Sequence, residues 1–463
     1  MSAQSLAGLL ILVPLLWPAL AGAETAVPES PAQIALSFAP VVKETAPAVV
    51  NIYARQVVQD RASPFAGDPF FDQFFQDFGD TRPRVQNSLG SGVIVAAEGI
   101  VVSNHHVIAD ATDIRVVLAD RREFAARVLL DDPQSDLAVL KVDTDTPLPA
   151  LPIGDSEALQ VGDLVLAIGN PFGVGQTVSS GIVSGLARSA LQVGDGTGYF
   201  VQTDAPINPG NSGGALVDMA GRLVGINTAI VTRDGGSNGI GFAVPSDLVA
   251  AVVAQALAGE TAFRRPWAGV SGQEVDGALA EALGMDRPEG VMITAIHPQS
   301  PLAAVGLAEG DVVLSLGGAA VNTPQEFLFR LSVLGPGPQP LRFLQDGAAQ
   351  EVAVTLGPAP DSPDRMQVTV AEDVILRGAT LARINPAVIA ELHLPLDAQG
   401  VVLLDAQDIA REVGLQPGDI LLAINGQPVA TPDQALAAAR ERLRRWQIDL
   451  LRGGQALRLR FRL

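Results

Sequence analysis

The run NPGNSGGAL at residues 208–216 constrains this chain more than any other stretch. Glycines at 210, 213 and 214 surround one serine, Ser212, in a run that suits neither a helix nor a plain strand. Glycine allows φ > 0 and lets another backbone approach closely. Those freedoms let backbone N–H groups converge on one spot, as an oxyanion hole requires. Ser212 is therefore a candidate nucleophile. A serine hydroxyl is weak by itself and needs an adjacent base.

The chain has four histidines, His105, His106, His297 and His393. His297 precedes a proline and belongs to an extended or turning segment. His393 lies in the apolar, helical-looking AELHLPL. Both read as surface or packing residues. His105 and His106 end the run GSGVIVAAEGIVVSNHHVI, which reads as strand, turn at Glu98-Gly99, strand, then a loop or helical turn. A histidine at the end of a buried strand is held rigidly, as a general base must be. A carboxylate has to orient the imidazole. The run LLDDPQSDLAVLKV offers Asp131, Asp132 and Asp136, of which Asp136 directly precedes an apolar strand. The order His, Asp, Ser is that of chymotrypsin-type double barrels.

These motifs resemble the HtrA/Deg (Do-like) serine endoproteases. SNHHVI, SDLAVLKV and GNSGGAL carry the resemblance, which continues through IGNPFG, VSSGIVSGLAR, VQTDAPINPGNSGG and residues 225–246. It covers essentially everything after the N-terminal segment. It implies that His106 is the base, with His105 its exposed neighbour, Asp136 the orienter and Ser212 the nucleophile. The Gly210 and Ser212 amides, with Asn211 a further candidate, would form the oxyanion hole. Ile230, Val231 and Ile240 would border the primary specificity pocket. No acid stands there, so cleavage after small or medium aliphatic residues is expected.

Acidic residues outnumber basic ones by 50 to 30, a net charge of −20 that argues against general nucleic-acid binding. Cysteine is absent, which removes disulfides and thiolate metal sites. No metal site or cofactor motif is present. Residues 6–20 are apolar and lead into Ala21-Gly22-Ala23, an A-x-A-like cleavage site. Residues 1–23 read as a secretory signal peptide, with export to the periplasm and no membrane insertion after cleavage. No Lys or Arg precedes the run, so an uncleaved anchor is the alternative.

Short β-branched runs between residues 89 and 244 predict two packed barrels, closed by a helix over 245–257. Residues 56–87 interrupt them with Phe65, Phe70, Phe71, Phe74, Phe75 and Phe78. In the family the corresponding loop reaches other subunits, and an apolar cluster favours a contact.

Beyond the linker, residues 306–327 repeat as 414–435 at an offset of 108. Each copy reads as a Gly-Asp turn, a strand, a Gly turn, and a helix capped by Thr323 or Thr431 with proline following. The copies resemble PDZ domains of bacterial proteases, which bind peptides by adding a strand to a sheet edge. Trp267, Ala268, Gly269 and Val270 match the loop that receives a peptide's C-terminal carboxylate. Residues 378–381 are a looser counterpart.

The fold class expected is mainly β: a chymotrypsin-like double barrel over 24–263, then PDZ domains (α+β) over 266–358 and 366–463. The function implied is an ATP-independent endoprotease of periplasmic stress response and protein quality control. It would degrade unfolded or misfolded proteins, with chaperone activity. It would bind C-terminal peptides at the first PDZ copy and assemble as a trimer-based homo-oligomer. The alternative is a PDZ-based chaperone or binding scaffold whose protease is vestigial or assembly-activated.

Overall fold

The computed structural model describes residues 37–58, 84–170, 175–188, 192–193, 196–208, 210–230, 239–441 and 443–462. The apolar N-terminal run, the six loop phenylalanines, Pro209, Val231 and the glycine-rich stretch 231–238 lie outside the described residues.

A short helix, α1 (Ala39–Thr45), leads into the first barrel. Its strands are β1 (Val49–Val58), β2 (Arg84–Ala96), β3 (Ile100–Ser103), β4 (Asp113–Val117), β5 (Glu123–Asp132) and β6 (Leu137–Val142). They close in the order β1-β2-β3-β6-β5-β4. The β2–β3 turn falls at Gly99, whose φ of 93° suits glycine. One helical turn, α2 (His105–Ile108), follows β3.

The second barrel uses β7 (Leu164–Gly169) and β8 (Thr177–Arg188). A two-residue pair, β9 (Gln192–Val193) and β10 (Gly196–Thr197), stands apart. Then come β11 (Phe200–Thr203), β12 (Ala215–Asp218), β13 (Leu223–Ile230) and β14 (Gly241–Pro245), closing as β11-β14-β13-β12-β7-β8.

One core joins the barrels. Val93, Val102, Leu137 and Val139 from the first pack with Leu166, Ile168, Val217 and Phe242 from the second. Each such side chain contributes roughly 1.5–3 kcal/mol by leaving water, so the barrels do not slide independently. Helix α3 (Ser246–Leu257) covers this core with Leu248, Val249, Val252, Val253 and Ala256, one apolar stripe at helical spacing.

The two repeats share an architecture. The first has β15 (Val270–Glu274), α4 (Gly277–Ala282), β16 (Val291–Ile296), α5 (Pro301–Ala304), β17 (Val312–Leu316), β18 (Ala319–Ala320), α6 (Pro324–Leu334), β19 (Gly337–Gln345) and β20 (Ala348–Leu356). The second begins with a strand that has no partner of its kind in the first, β21 (Val368–Thr369). It continues with β22 (Ala379–Arg383), α7 (Pro386–Leu392), β23 (Val401–Ala406), α8 (Asp408–Glu412), β24 (Ile420–Ile424), β25 (Gln427–Pro428), α9 (Pro432–Ala439), β26 (Trp446–Arg452) and β27 (Gln455–Phe461). The sheet orders are β15-β16-β17-β19-β20 and β21-β22-β23-β24-β26-β27. Thr323 and Thr431 cap α6 and α9, each hydroxyl accepting a backbone N–H three residues on.

The first repeat is docked onto the barrels. Phe329 of α6 joins the barrel core and stacks on Tyr199, ring centroids 4.2 Å apart and 15° from parallel. Its neighbour Arg330 pairs with Glu157. In the linker, Arg265 clamps buried Asp132 with nitrogens at 2.6 and 3.1 Å.

Candidate active site

Asp136 occupies the turn between β5 and β6 with φ of 54°, a left-handed conformation that aspartate tolerates better than most residues. It is 6% exposed. Burying a lone carboxylate is costly unless it is paired and hydrogen-bonded, and here three groups serve it. The His106 ring reaches it through Nδ1 at 2.8 and 2.9 Å, and the His106 backbone N–H donates at 3.0 Å. The Thr228 hydroxyl donates to Oδ2. Burial favours the neutral acid, but the His106 charge and these hydrogen bonds overcome it and hold Asp136 below the ordinary carboxylate range. Asn104, buried between β3 and α2, donates from Nδ2 to the Asp136 carbonyl at 2.9 Å. The two loops are thereby fixed to each other.

An Nδ1–H held by a carboxylate leaves Nε2 as the lone-pair nitrogen, the tautomer a general base needs. The His106 side chain keeps 26% of its surface exposed, so a reactant can reach it.

Ser212 stands on the glycine turn between β11 and β12. Gly210 and Gly213 have φ of 88° and 80°. A Cβ on Gly213 would sit 2.1 Å from the Ser91 carbonyl oxygen and 2.5 Å from Ser103 Oγ, so the turn is pressed against the first barrel. The Ser91 N–H donates to the Ser212 carbonyl at 2.8 Å, and the Gly213 N–H to the Asn227 carbonyl at 2.8 Å. Both barrels therefore grip the turn. The Ser212 hydroxyl donates to the Thr228 carbonyl at 3.1 Å. Among the described residues it makes no hydrogen bond to His106.

The Gly210 and Ser212 amides have no internal hydrogen-bond partner among the described residues. Asn211 differs from expectation. Its N–H donates to the Asn208 carbonyl at 3.0 Å, so this amide is spent on closing the turn. His105 differs too. It is half-buried and its Nδ1 lies 2.7 Å from Asp131, which raises its proton affinity above that of an ordinary imidazole against the opposing effect of burial. Ile240 is exposed at the end of the loop before β14, and the Ile230 backbone ends β13. Thr228 and Asn104 escaped sequence reasoning. Each is one polar residue in a strand or strand end, and only the partner across the chain gives it meaning.

The residues expected to receive a carboxylate form an ordered loop. Trp267 and Ala268 are buried, Gly269 has φ of 63°, and Ser300 Oγ donates to the Ala268 carbonyl at 2.5 Å. The Ala268 and Gly269 amides have no internal partner among the described residues. The counterpart in the second repeat is residues 376–379, not 378–381. Gly378 is the equivalent of Gly269: its φ is 85°, and its carbonyl accepts from Gln407 N–H as that of Gly269 accepts from His297 N–H.

Two closed barrels with a serine, a histidine and a buried aspartate at their junction define a trypsin-like serine peptidase, followed here by two repeats of one sheet architecture. The trypsin-like peptidase domain model matches residues 90–226, and the PDZ domain model matches residues 401–445. The chain is 38% identical over 467 residues to a probable periplasmic serine endoprotease DegP-like of Pseudomonas putida (strain W619), covering 96% of this chain and 95% of that one. A protein of the same description from Halomonas elongata is 38% identical over 437 residues, covering 90% of this chain and 91% of its own. The solved structure of the HtrA-type protease AlgW with decapeptide is 41% identical, with a TM-score of 0.52, over 70% of this chain and 99% of that chain. The chain belongs to the HtrA/DegP-like serine endoprotease family, and it is a serine endopeptidase of mainly β fold.

Proposed function

We propose that this chain is an ATP-independent periplasmic endoprotease for unfolded or misfolded proteins, with Ser212 as nucleophile, His106 as general base and Asp136 as orienter. The observation that carries the assignment is the His106–Asp136 pairing at 2.8 Å beside a serine gripped by both barrels. Ser212 Oγ attacks the scissile carbonyl carbon while His106 Nε2 takes its proton. The developing oxyanion is stabilised by the Gly210 and Ser212 N–H groups. The imidazolium then protonates the leaving amine. Water, deprotonated by the same nitrogen, hydrolyses the acyl-enzyme and frees Ser212. The engagement of Ser212 with Thr228 supports a protease whose catalytic hydrogen bond forms when substrate or assembly engages it.

The same reading divides the chain into a protease domain over 24–263 and PDZ domains over 266–358 and 366–463. The first repeat is read as a PDZ domain because its sheet order matches that of the second. Its open amides at Ala268 and Gly269 would receive the C-terminal carboxylate of a peptide, and β15 would pair with the peptide backbone. Periplasmic location rests on what the relatives are called. Among the described residues no helix is long and apolar enough to cross a membrane. Chaperone activity and trimer-based assembly follow from the resemblance.

Purified protein incubated with casein, followed on a gel, tests the activity. Cleavage that Ser212→Ala abolishes supports it. Casein left intact under conditions where the protein is folded and assembled contradicts it.

A further inference from the structure

We propose that the second repeat carries its own ligand: residues 368–370 occupy its peptide groove, leaving C-terminal peptides to the first repeat alone. The assignment of capture to the first repeat rests on the proposed function above. The closure of the second does not.

β21 lies along the outer edge of β22, antiparallel, with Val368 opposite Leu381 and Thr369 opposite Thr380. This is the edge and direction a captured peptide takes. The next residue completes the mimicry. The Val370 N–H donates to the Ala379 carbonyl at 2.9 Å, and the Gly378 N–H donates to the Val370 carbonyl at 2.8 Å. Val370 therefore stands where a peptide's last residue would, its carbonyl oxygen replacing one carboxylate oxygen. The flanking amides are spent as well, Arg377 on Val374 and Ala379 on Leu376, each at 2.9 Å.

The apolar pocket is filled too. Val370 is 3% exposed and belongs to the same buried apolar cluster as Leu381 and as Ala435, Ala438 and Ala439 of α9. Small residues on α9 leave room for it. Glu372 then pairs with Arg440 just beyond α9 at 2.5 and 2.8 Å. A segment tethered by a few residues is present at an effective concentration of order mM, which a dilute peptide does not match.

The first repeat contrasts at its edge strand and in the course of the chain before it. β15 pairs only with β16 among the described residues, and lies at the sheet edge. The chain before it turns away, with Trp267 N–H on the Gly357 carbonyl at 2.8 Å.

The test uses full-length Ser212→Ala protein and a fluorescein-labelled peptide of residues 364–370 ending in a free carboxylate. One peptide should bind per chain. Gly269→Val should abolish that binding, since a Cβ there lands 2.7 Å from the Trp267 ring. Val370→Asp, which puts a charge in the apolar pocket, should add a second site. Two peptides per unaltered chain overturn the proposal, as does binding retained by Gly269→Val or a folded Val370→Asp protein with no second site. Hydrogen exchange on the unaltered chain decides the closure independently. Slow exchange at the Val370 and Gly378 amides, unchanged by peptide, supports it. Exchange at the rate of an open loop, or slowing on peptide addition, overturns it. Protected amides in a protein that binds no peptide would refute capture by the first repeat and leave the closure standing.

Discussion

The Ser212 hydroxyl donates to the Thr228 carbonyl oxygen at 3.1 Å, while the hydroxyl of the same threonine donates to Asp136. One β13 residue thus holds both ends of the site. A turn about the Ser212 χ1 bond would move Oγ to another staggered well and release it from the Thr228 carbonyl.

Thr228→Val keeps the shape and removes the hydroxyl. Asp136 then loses a donor in a buried position, where a hydrogen bond to a charged group contributes about 1.5–3 kcal/mol. We expect kcat to fall about tenfold or more with KM little changed, and Thr228→Ser to recover most of it. Equal kcat for the valine and wild-type proteins would remove Thr228 from the machinery.

Asp136→Asn should lower kcat on the order of 10³–10⁴-fold by fixing the wrong His106 tautomer. Folding should survive, because the amide still fills the site. Steady-state kinetics beside a circular dichroism spectrum check both halves.

The His105–Asp131 pair predicts a pH-dependent stability. His105 binds its proton more tightly folded than unfolded. Its contribution is fully present below the ordinary imidazole range and is lost as pH rises through the raised folded value. His105→Gln should therefore lower the melting temperature more at about pH 5 than at about pH 9. Asp136 has the opposite sign: its folded affinity for protons is reduced, so its contribution is present above the unfolded carboxylate range and lost as pH falls through the lower folded value. Melting curves of both variants across pH separate the two windows. Catalysis should be only mildly affected by His105→Gln.

Phe329→Ala should loosen the first repeat from the barrels. Phe329 is 4% exposed and sits in the barrel core, and such truncations cost about 3–5 kcal/mol. Faster proteolytic nicking of the linker around residues 259–266, with the barrels intact, is the expected readout. An unchanged nicking rate would mean that Arg265–Asp132 and Arg330–Glu157 hold the interface without it.

Much of this was legible in the sequence because local chemistry dictated it. Glycines at 210 and 213 announce a turn with positive φ, alternating β-branched runs announce strands, and Thr323 and Thr431 announce helix starts. Long-range pairings were not legible. Asp131 takes His105, which sequence reading left as an exposed neighbour. Asn208 takes the Asn211 amide, which sequence reading offered to the oxyanion hole. The helix before the linker begins at Ser246, with Pro245 as its cap. The second repeat's counterpart of the Trp267–Val270 loop lies two residues earlier than sequence similarity places it. Sequence similarity aligned Gly378 with Trp267, whereas positive φ and a shared carbonyl contact align it with Gly269.

The proposed chemistry makes Ser212 nucleophilic through His106 and Asp136. Diisopropyl fluorophosphate labelling followed by peptide mass mapping tests it most directly. One adduct per chain is expected, on Ser212, formed at least a hundredfold more slowly in His106→Ala and Asp136→Asn proteins that remain folded. An adduct on another serine, or equal labelling rates in the three proteins, would contradict it.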